Sequence, residues 1–587
     1  MGQRNRVPVI ISGVVIIAAL CLVFGMRIGD ARGGDADELF RLIPENVGSF
    51  IYLRDLKQGL SPFLSSDYYD EVSDLAVFDG PFKTDLSAPI LTRLGDFEKS
   101  TGIRPTPRRL LWIVGKRALF FTAGGMGTGA SAGVFETGSF KGLVINLVSV
   151  FSGGVAKQDW GDYSVWVVTA GGRQIYYKTT KGYTIFSDSP DLFKDQWEIV
   201  TGNNPAAPPR NSRVMNLVSR LPQGYHILYY STDVMKPDPA AKGLGARMVR
   251  LLSGTDAVAA AVTFTQTGFD AALYAPYSTG EAKSDLARLG TLTDKASIDL
   301  GPIPGETAAL VVFRAFDPSI LYTHFSKSWF GDVTERVAYI SVLNTWKDKG
   351  GFDLEGGIVN NLGRGAMAAL VGLGWEAEKP HLKMIASVGV KPGGEVALSG
   401  NLSKLYSYSF FDGGPQVITL DNASLSYMGV FREKTIDWNG SDYIVSVKAN
   451  PGFAFWGGRL FAFWDLSTIQ QLIDNEAISS MERAGGLFDR DFLVKSAPFI
   501  EAQKKIAADD YDLYAYLDGN NAVSLLENYL VNLSANYTYF LYQDSEKRLL
   551  PLLELTRRTF VSCSGGINFT ADAVEGTFTL TTKDLDE

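Results

Sequence analysis

The longest apolar run in the chain is also its first: residues 7–26 are twenty positions without a charged side chain. At 1.5 Å per residue such a run makes a helix about 30 Å long, the thickness of a bilayer's hydrocarbon core. Arg4 and Arg6 precede it, and Arg27, Asp30 and Arg32 follow. A secretory apolar region is normally about 7–15 residues. The pattern therefore predicts an uncleaved anchor at 7–26, with a cytoplasmic tail at 1–6 and a linker at 27–38. No later run reaches that length, and the nearest, 143–148, is strand-sized.

Beyond the linker the pattern changes to short β-branched and aromatic runs. Those at 164–168, 174–178 and 183–186 are separated by Gly171-Gly172 and Lys181-Gly182 and predict an antiparallel meander. Asn439-Gly440, between 435–438 and 442–447, is a two-residue hairpin signal. Helical patterns are fewer: 56–64, 189–199, 316–325, 466–474 and 524–542. In the last, Asn528, Asn532 and Asn536 fall on one stripe. Strands with helices packed on them predict α+β rather than a doubly wound parallel sheet.

The two halves resemble each other. Residues 43–54 read like 303–314, each a proline-led apolar run ending in arginine, Arg54 and Arg314. Further matches follow in the same order. They pair 97–116 with 346–364, 159–163 with 437–443, 181–188 with 458–465, and 260–273 with 565–578. Five matches in order predict two homologous modules, 39–290 and 299–587, joined by a linker at 291–298. The expected architecture is an N-terminal transmembrane helix followed by two α+β modules, each of mainly antiparallel sheet with a few packed helices.

Composition narrows the function. Charged residues are 20%, the net charge is −9, and 61 glycines accompany 35 Phe, 25 Tyr and 10 Trp. This apolar content excludes a disordered chain, and the acidic balance argues against nucleic-acid binding. Two cysteines are present; with Cys21 inside the anchor, Cys563 stands alone in the body. That suits a bacterial periplasm better than a disulfide-rich eukaryotic ectodomain. Sequons at Asn401, Asn422, Asn439, Asn532, Asn536 and Asn568 have meaning only in a eukaryotic secretory route.

Candidate chemistry is sparse. Gly129, Ser131 and Gly133 satisfy G-x-S-x-G, but no helix pattern follows, and the glycines of 124–133 predict a flexible hairpin loop. The same glycines lack the helix a dinucleotide site needs. His226, His324 and His381 lie far apart, without zinc spacing. Asp437, Asn439 and Asp442 read as a turn rather than a calcium loop. Arg104, Arg108, Arg109, Lys116 and Arg117 form the local basic cluster, a candidate contact for an anion or an acidic partner. No catalytic, cofactor or metal residues are assigned.

Gly351-Phe352-Asp353 with Leu362-Gly363, the proline-led strands, and Ser187-Asp188-Ser189 before a helix together resemble a bacterial cell-envelope family of unknown function. Gly102-Ile103-Arg104 departs from the pattern at its acidic position, and Phe463-Trp464-Asp465 fits less well. The resemblance implies an anchored extracytoplasmic protein and transfers no catalytic residue. The expectation is a single-pass inner-membrane protein whose periplasmic body binds or scaffolds envelope proteins without catalysis and uses no cofactor. The alternatives are a carrier of lipid or another apolar ligand, and a periplasmic hydrolase using Ser131. An outer-membrane barrel is disfavoured by the apparent anchor and the interspersed helices.

Overall fold

The computed structural model describes residues 38–55, 117–123, 130–136, 155–170, 173–180, 182–201, 212–232, 255–265, 267–278, 285–292, 295–330, 333–376, 379–409, 416–420, 423–427, 430–438, 441–449, 451–483, 491–537 and 550–583. It is α+β, with antiparallel strands and helices intermixed along the chain. The chain divides into two units. One holds residues up to Pro237 and Thr255–Ser278, with Asp584–Glu587; the other holds Asp238–Gly254 and Thr279–Lys583. The anchor at 7–26 and the helix pattern at 56–64 lie outside the described residues. No helix within them is long and apolar enough to cross a membrane.

In the first unit the strands are β1 (Val47–Arg54), β2 (Arg117–Ala123), β3 (Ala130–Glu136), β4 (Val155–Trp160), β5 (Tyr163–Ala170), β6 (Arg173–Thr180) and β7 (Tyr183–Ser187). Helices α1 (Pro190–Thr201) and α2 (Ser212–Val218) follow, then β8 (Ile227–Ser231), β9 (Val258–Thr265) and β10 (Gly268–Pro276). All pairings are antiparallel, in the order β10-β9-β8-β1-β2-β3-β7-β6-β5-β4. The expected meander is β5-β6-β7. Helix α1 starts where Pro190 suits a first helical position and the Ser189 hydroxyl accepts from the Leu192 N–H. It buries Phe193 and Trp197 against the sheet residues Leu119, Val165 and Ile185.

The second unit opens with α3 (Asp285–Gly290), β11 (Ala309–Phe313), α4 (Pro318–Ser328), α5 (Val333–Gly350), β12 (Leu362–Glu376), β13 (Lys379–Val390) and α6 (Glu395–Ser409). Then come β14 (Gln416–Leu420), β15 (Ala423–Tyr427), β16 (Val430–Trp438), β17 (Ser441–Ala449), β18 (Gly452–Trp456), β19 (Arg459–Phe463) and α7 (Leu466–Arg483). The unit closes with α8 (Ala497–Ile506), β20 (Leu513–Asp518), α9 (Gly519–Tyr537), α10 (Leu550–Thr559), β21 (Phe560–Phe569) and β22 (Ala573–Thr582). Its sheet runs β22-β21-β20-β11-β12-β13-β19-β18-β15-β14, again wholly antiparallel. Strands β16 and β17 form a separate hairpin.

Strand alternation sends Leu310, Val312, Met367, Ile385, Phe461 and Tyr514 to one face, where they meet Ile469 and Leu472 of α7 and Phe499 and Ala502 of α8. Helix α4 is started by Asp317, whose carboxylate accepts from the N–H groups of Ser319 and Ile320, with Pro318 beside it. The β18–β19 turn carries two glycines at positive φ, Gly457 at 58° and Gly458 at 71°, as a tight hairpin turn requires.

Three expectations need correction. Ser131 is not in a loop: β3 begins at Ala130, because residues 130–136 find hydrogen-bonding strands on both sides. The match of 159–163 with 437–443 does not join corresponding places. The first closes β4–β5 inside the sheet, and the second closes β16–β17, outside it. The match of 181–188 with 458–465 is one residue out of step, since Tyr183 and Arg459 are the residues that open β7 and β19.

Phe499 is fully buried and packs edge-on against Tyr516, with ring centroids 4.9 Å apart. Phe499→Ala should lower unfolding free energy by about 3–5 kcal/mol in a denaturant titration, the cost of an unfilled aromatic site.

Candidate functional site

A sheet with one face on a core usually turns polar side chains outward on the other. The second unit departs from this. Helices α7 and α8 cover the face described above, while the residues that alternate with it are also apolar. Val311, Leu382, Met384 and Trp464 are each about 40% exposed (40%, 39%, 42% and 45%). Directly paired residues share a face, so the register carries this surface across six strands. One row reads Ala515–Val311–Ala368–Ala386–Ala462–Phe453, on β20, β11, β12, β13, β19 and β18. The next reads Leu513–Phe313–Ala366–Val388–Leu460–Phe455. Neither row contains a charged or hydrogen-bonding side chain.

A cavity of about 320 Å³ lies on this face. Its floor is Ala366, Ala368, Ala386 and Ala462, and Phe313 and Phe316 stand at one side. Those two rings pack edge-on at 5.6 Å, and Phe313 also stacks on Phe569 at 5.9 Å, which fixes that wall. The volume falls at the lower end of the ~300–1,000 Å³ range of small-molecule sites.

A row of the first unit's sheet carries larger side chains. Tyr229–Ile51–Phe120–Gly133–Phe186–Tyr177 crosses β8, β1, β2, β3, β7 and β6. There Phe186 packs against Phe120 at 5.9 Å and Phe135 at 6.1 Å. The Phe186 ring lies so close over Gly133 that an added Cβ would meet it at 2.3 Å.

A second cavity, of about 370 Å³, lies between α4, α5 and the turn that follows. An ion pair and a pair of tyrosines lie in its lining. Lys347 pairs with Asp353 at 2.9 Å, and that contact holds the Asp353 carboxyl below, and the Lys347 ammonium above, the ordinary range. Burial, with Tyr322 beside it, pushes the Tyr339 hydroxyl up to about 12.

The residues singled out from the sequence fall as follows. Arg104, Arg108, Arg109 and Lys116 lie outside the described residues. Arg117 opens β2, and its guanidinium donates to Glu136 at 3.1 Å and to the Tyr183 hydroxyl at 2.9 Å, so it is engaged within the fold. Ser131 sits inside a strand that continues to Glu136, not at the strand-to-helix turn of a nucleophile elbow, and its backbone N–H donates to Asp188. Asn528 is exposed on α9, and the side chains of Asn532, Asn536 and His381 are outside the described set. Burial pushes the Cys563 thiol up to about 12, far from a reactive thiolate. No group of three or more His, Cys, Asp or Glu among the described residues is placed to hold a metal ion.

His226 serves the backbone. It is 1% exposed, and its Nδ1 accepts the Phe264 N–H at 3.1 Å, which leaves the neutral ring with its proton on Nε2. Asp512 has a like place before β20: its carboxylate accepts the Phe569 N–H at 2.8 Å and pairs with Lys295 at 2.9 Å.

The groove itself was missed in the sequence. Its alanines are distant in the chain and form a surface only through the strand order. The signal available was apolar residues on both phases of β11 and β13, where a solvent-facing strand would alternate.

No family model matches the chain, and no curated protein matches it. Among solved structures a match is found to TP0453 in its crystal form I. It is 8% identical, covers 42% of this chain and 82% of that one, and has a TM-score of 0.21, too low to transfer any feature.

Burial lowers the His226 pKa below its ordinary value, Asp55 opposing this and Arg54 adding to it. Between the folded pKa and the unfolded value of about 6.5 the unfolded chain binds more protons. Stability should therefore fall as pH drops below about 6.5 and level off below the folded pKa. Chemical denaturation between pH 8 and pH 5 should show this slope, and His226→Asn, which keeps an acceptor but cannot titrate, should reduce it.

Proposed function

We propose that this chain is a membrane-tethered binding protein for apolar ligands, its body built from two copies of one ten-stranded module. The observation that carries the functional reading is the face of the second unit's sheet opposite α7 and α8, apolar across six adjacent strands and hollowed by a 320 Å³ cavity. Protein interfaces of ordinary size carry about one hydrogen bond per 100–200 Å² and a polar rim. The two central rows supply no side-chain donor or acceptor, so hydrocarbon suits this face better than a protein partner. That favours lipid carriage over scaffolding of envelope proteins.

Duplication is supported by the common strand order and by backbone bonds that recur in register. The Val47 N–H donates to Pro44 as the Thr307 N–H does to Pro304, both at 3.2 Å. The Arg54 N–H donates to the His226 carbonyl as the Arg314 N–H does to Asp512. The next link is the side-chain acceptor of His226 toward Phe264 and of Asp512 toward Phe569. Insertions explain the uneven spacing: β16–β17 has no counterpart in the first sheet.

The tether is the apolar run at 7–26, read as a single pass through a bacterial inner membrane with the body in the periplasm. Such a protein acts by binding rather than by bond-making, and Ser131 is a strand residue in this account.

The test uses the full chain in lipid nanodiscs containing a phospholipid with a diazirine in its acyl chain. Illumination and peptide mapping should place label beyond residue 38 as well as in 7–26. Label confined to 7–26 would overturn the reading.

A further inference from the structure

We infer that the groove of the second unit, and not the matching surface of the first, seats one acyl chain of a phospholipid drawn from the adjoining bilayer. The inference rests on the proposed function above and adds the place, the number and the source of the ligand.

Across the central strands, register sets Phe120 of β2 against Ala368 of β12, Phe135 of β3 against Val388 of β13, and Phe186 of β7 against Ala462 of β19. In the first unit these three rings pack on one another over Gly133. In the second, the same three places hold alanine, valine and alanine, and all three line the cavity. The cavity is therefore the space that the first unit fills with its own phenyl rings. Its natural occupant is hydrocarbon of similar bulk, since the lining carries no charge and its hydroxyl, that of Ser387, already accepts from the Arg459 guanidinium. The cavity is at the small end for a ligand site, which suits one chain rather than a whole lipid.

The source follows from the chain's own reach. The linker at 27–38 has twelve residues and spans at most about 40 Å when extended, so the chain beyond residue 38 begins close to the bilayer that holds 7–26. The exposed Val311 and Met384 border the groove and give an acyl chain an apolar approach.

The experiment exchanges the two surfaces by mutation. The full chain, in nanodiscs containing the diazirine-acyl phospholipid, is compared with A368F/A462F and with F120A/F186A. In the unaltered protein, label should map to peptides carrying Ala368, Ala386 and Ala462, and not to those carrying Phe120, Gly133 and Phe186. A368F/A462F imports the first unit's rings and should lower labelling of the second unit at least fivefold. F120A/F186A should open the first unit and raise its labelling at least fivefold. Circular-dichroism melts guard both variants against misfolding, since each should keep the cooperative transition of the unaltered protein. Equal labelling of both units, or labelling insensitive to both variants, overturns this inference while the apolar-ligand reading stands. A competing excess of free fatty acid that removes the label assigns the chain to free fatty acid and overturns the bilayer source. Label absent from the whole body overturns the broader reading as well.

Discussion

Every β-sheet has two faces, and helices in the second unit cover one of them. Tyr514, Tyr516, Phe461 and Ile385 meet α7 and α8 and make an ordinary core. Val311, Ala368, Ala386 and Ala462 alternate with those residues along the same strands, so the backbone that builds the core also fixes the groove. Neither surface can be moved without the other, because a slip of one residue exchanges the faces. At roughly 25 cal/mol per Å² of apolar surface, exposed apolar side chains such as Val311 and Met384 favour any hydrocarbon that reaches them.

The two units share an antiparallel strand order and differ in polar chemistry. Before β8 a neutral histidine accepts a backbone N–H deep in the structure; before β20 a carboxylate does so and is balanced by Lys295. At the strand ends, Arg117 in one unit reaches across to Tyr183. In the other, Arg459 donates to Ser387 and to the Gly365 carbonyl, and burial lowers its pKa. A backbone acceptor that must be supplied can be supplied by more than one side chain. The two open faces differ, one filled by three phenylalanines and the other hollow.

Much of the fold was legible where local chemistry dictates it. The meander at β5–β7, the proline-led β1 and β11, and the helices that open at Pro190 and Pro318 were all visible. Helix α8 carries its stripe of Phe499, Ala502 and Ile506 and could have been read. Helix α5 could not: it buries no residue, so no apolar stripe marks it. Turn chemistry misled at 437–443, because an Asp-Trp-turn-Tyr element suits any tight hairpin, whichever sheet it joins. The groove was illegible for another reason. Ala368, Ala386 and Ala462 are unremarkable one at a time, and only the non-sequential pairing of β13 with β19 sets them side by side.

The claim that the second unit holds one hydrocarbon ligand is met most directly by native mass spectrometry of the full chain released from its nanodisc under graded collisional activation. The account predicts one tightly held phospholipid per chain that outlasts the annular lipids. A bare protein mass, or a broad ladder of lipids with no preferred stoichiometry, would contradict it.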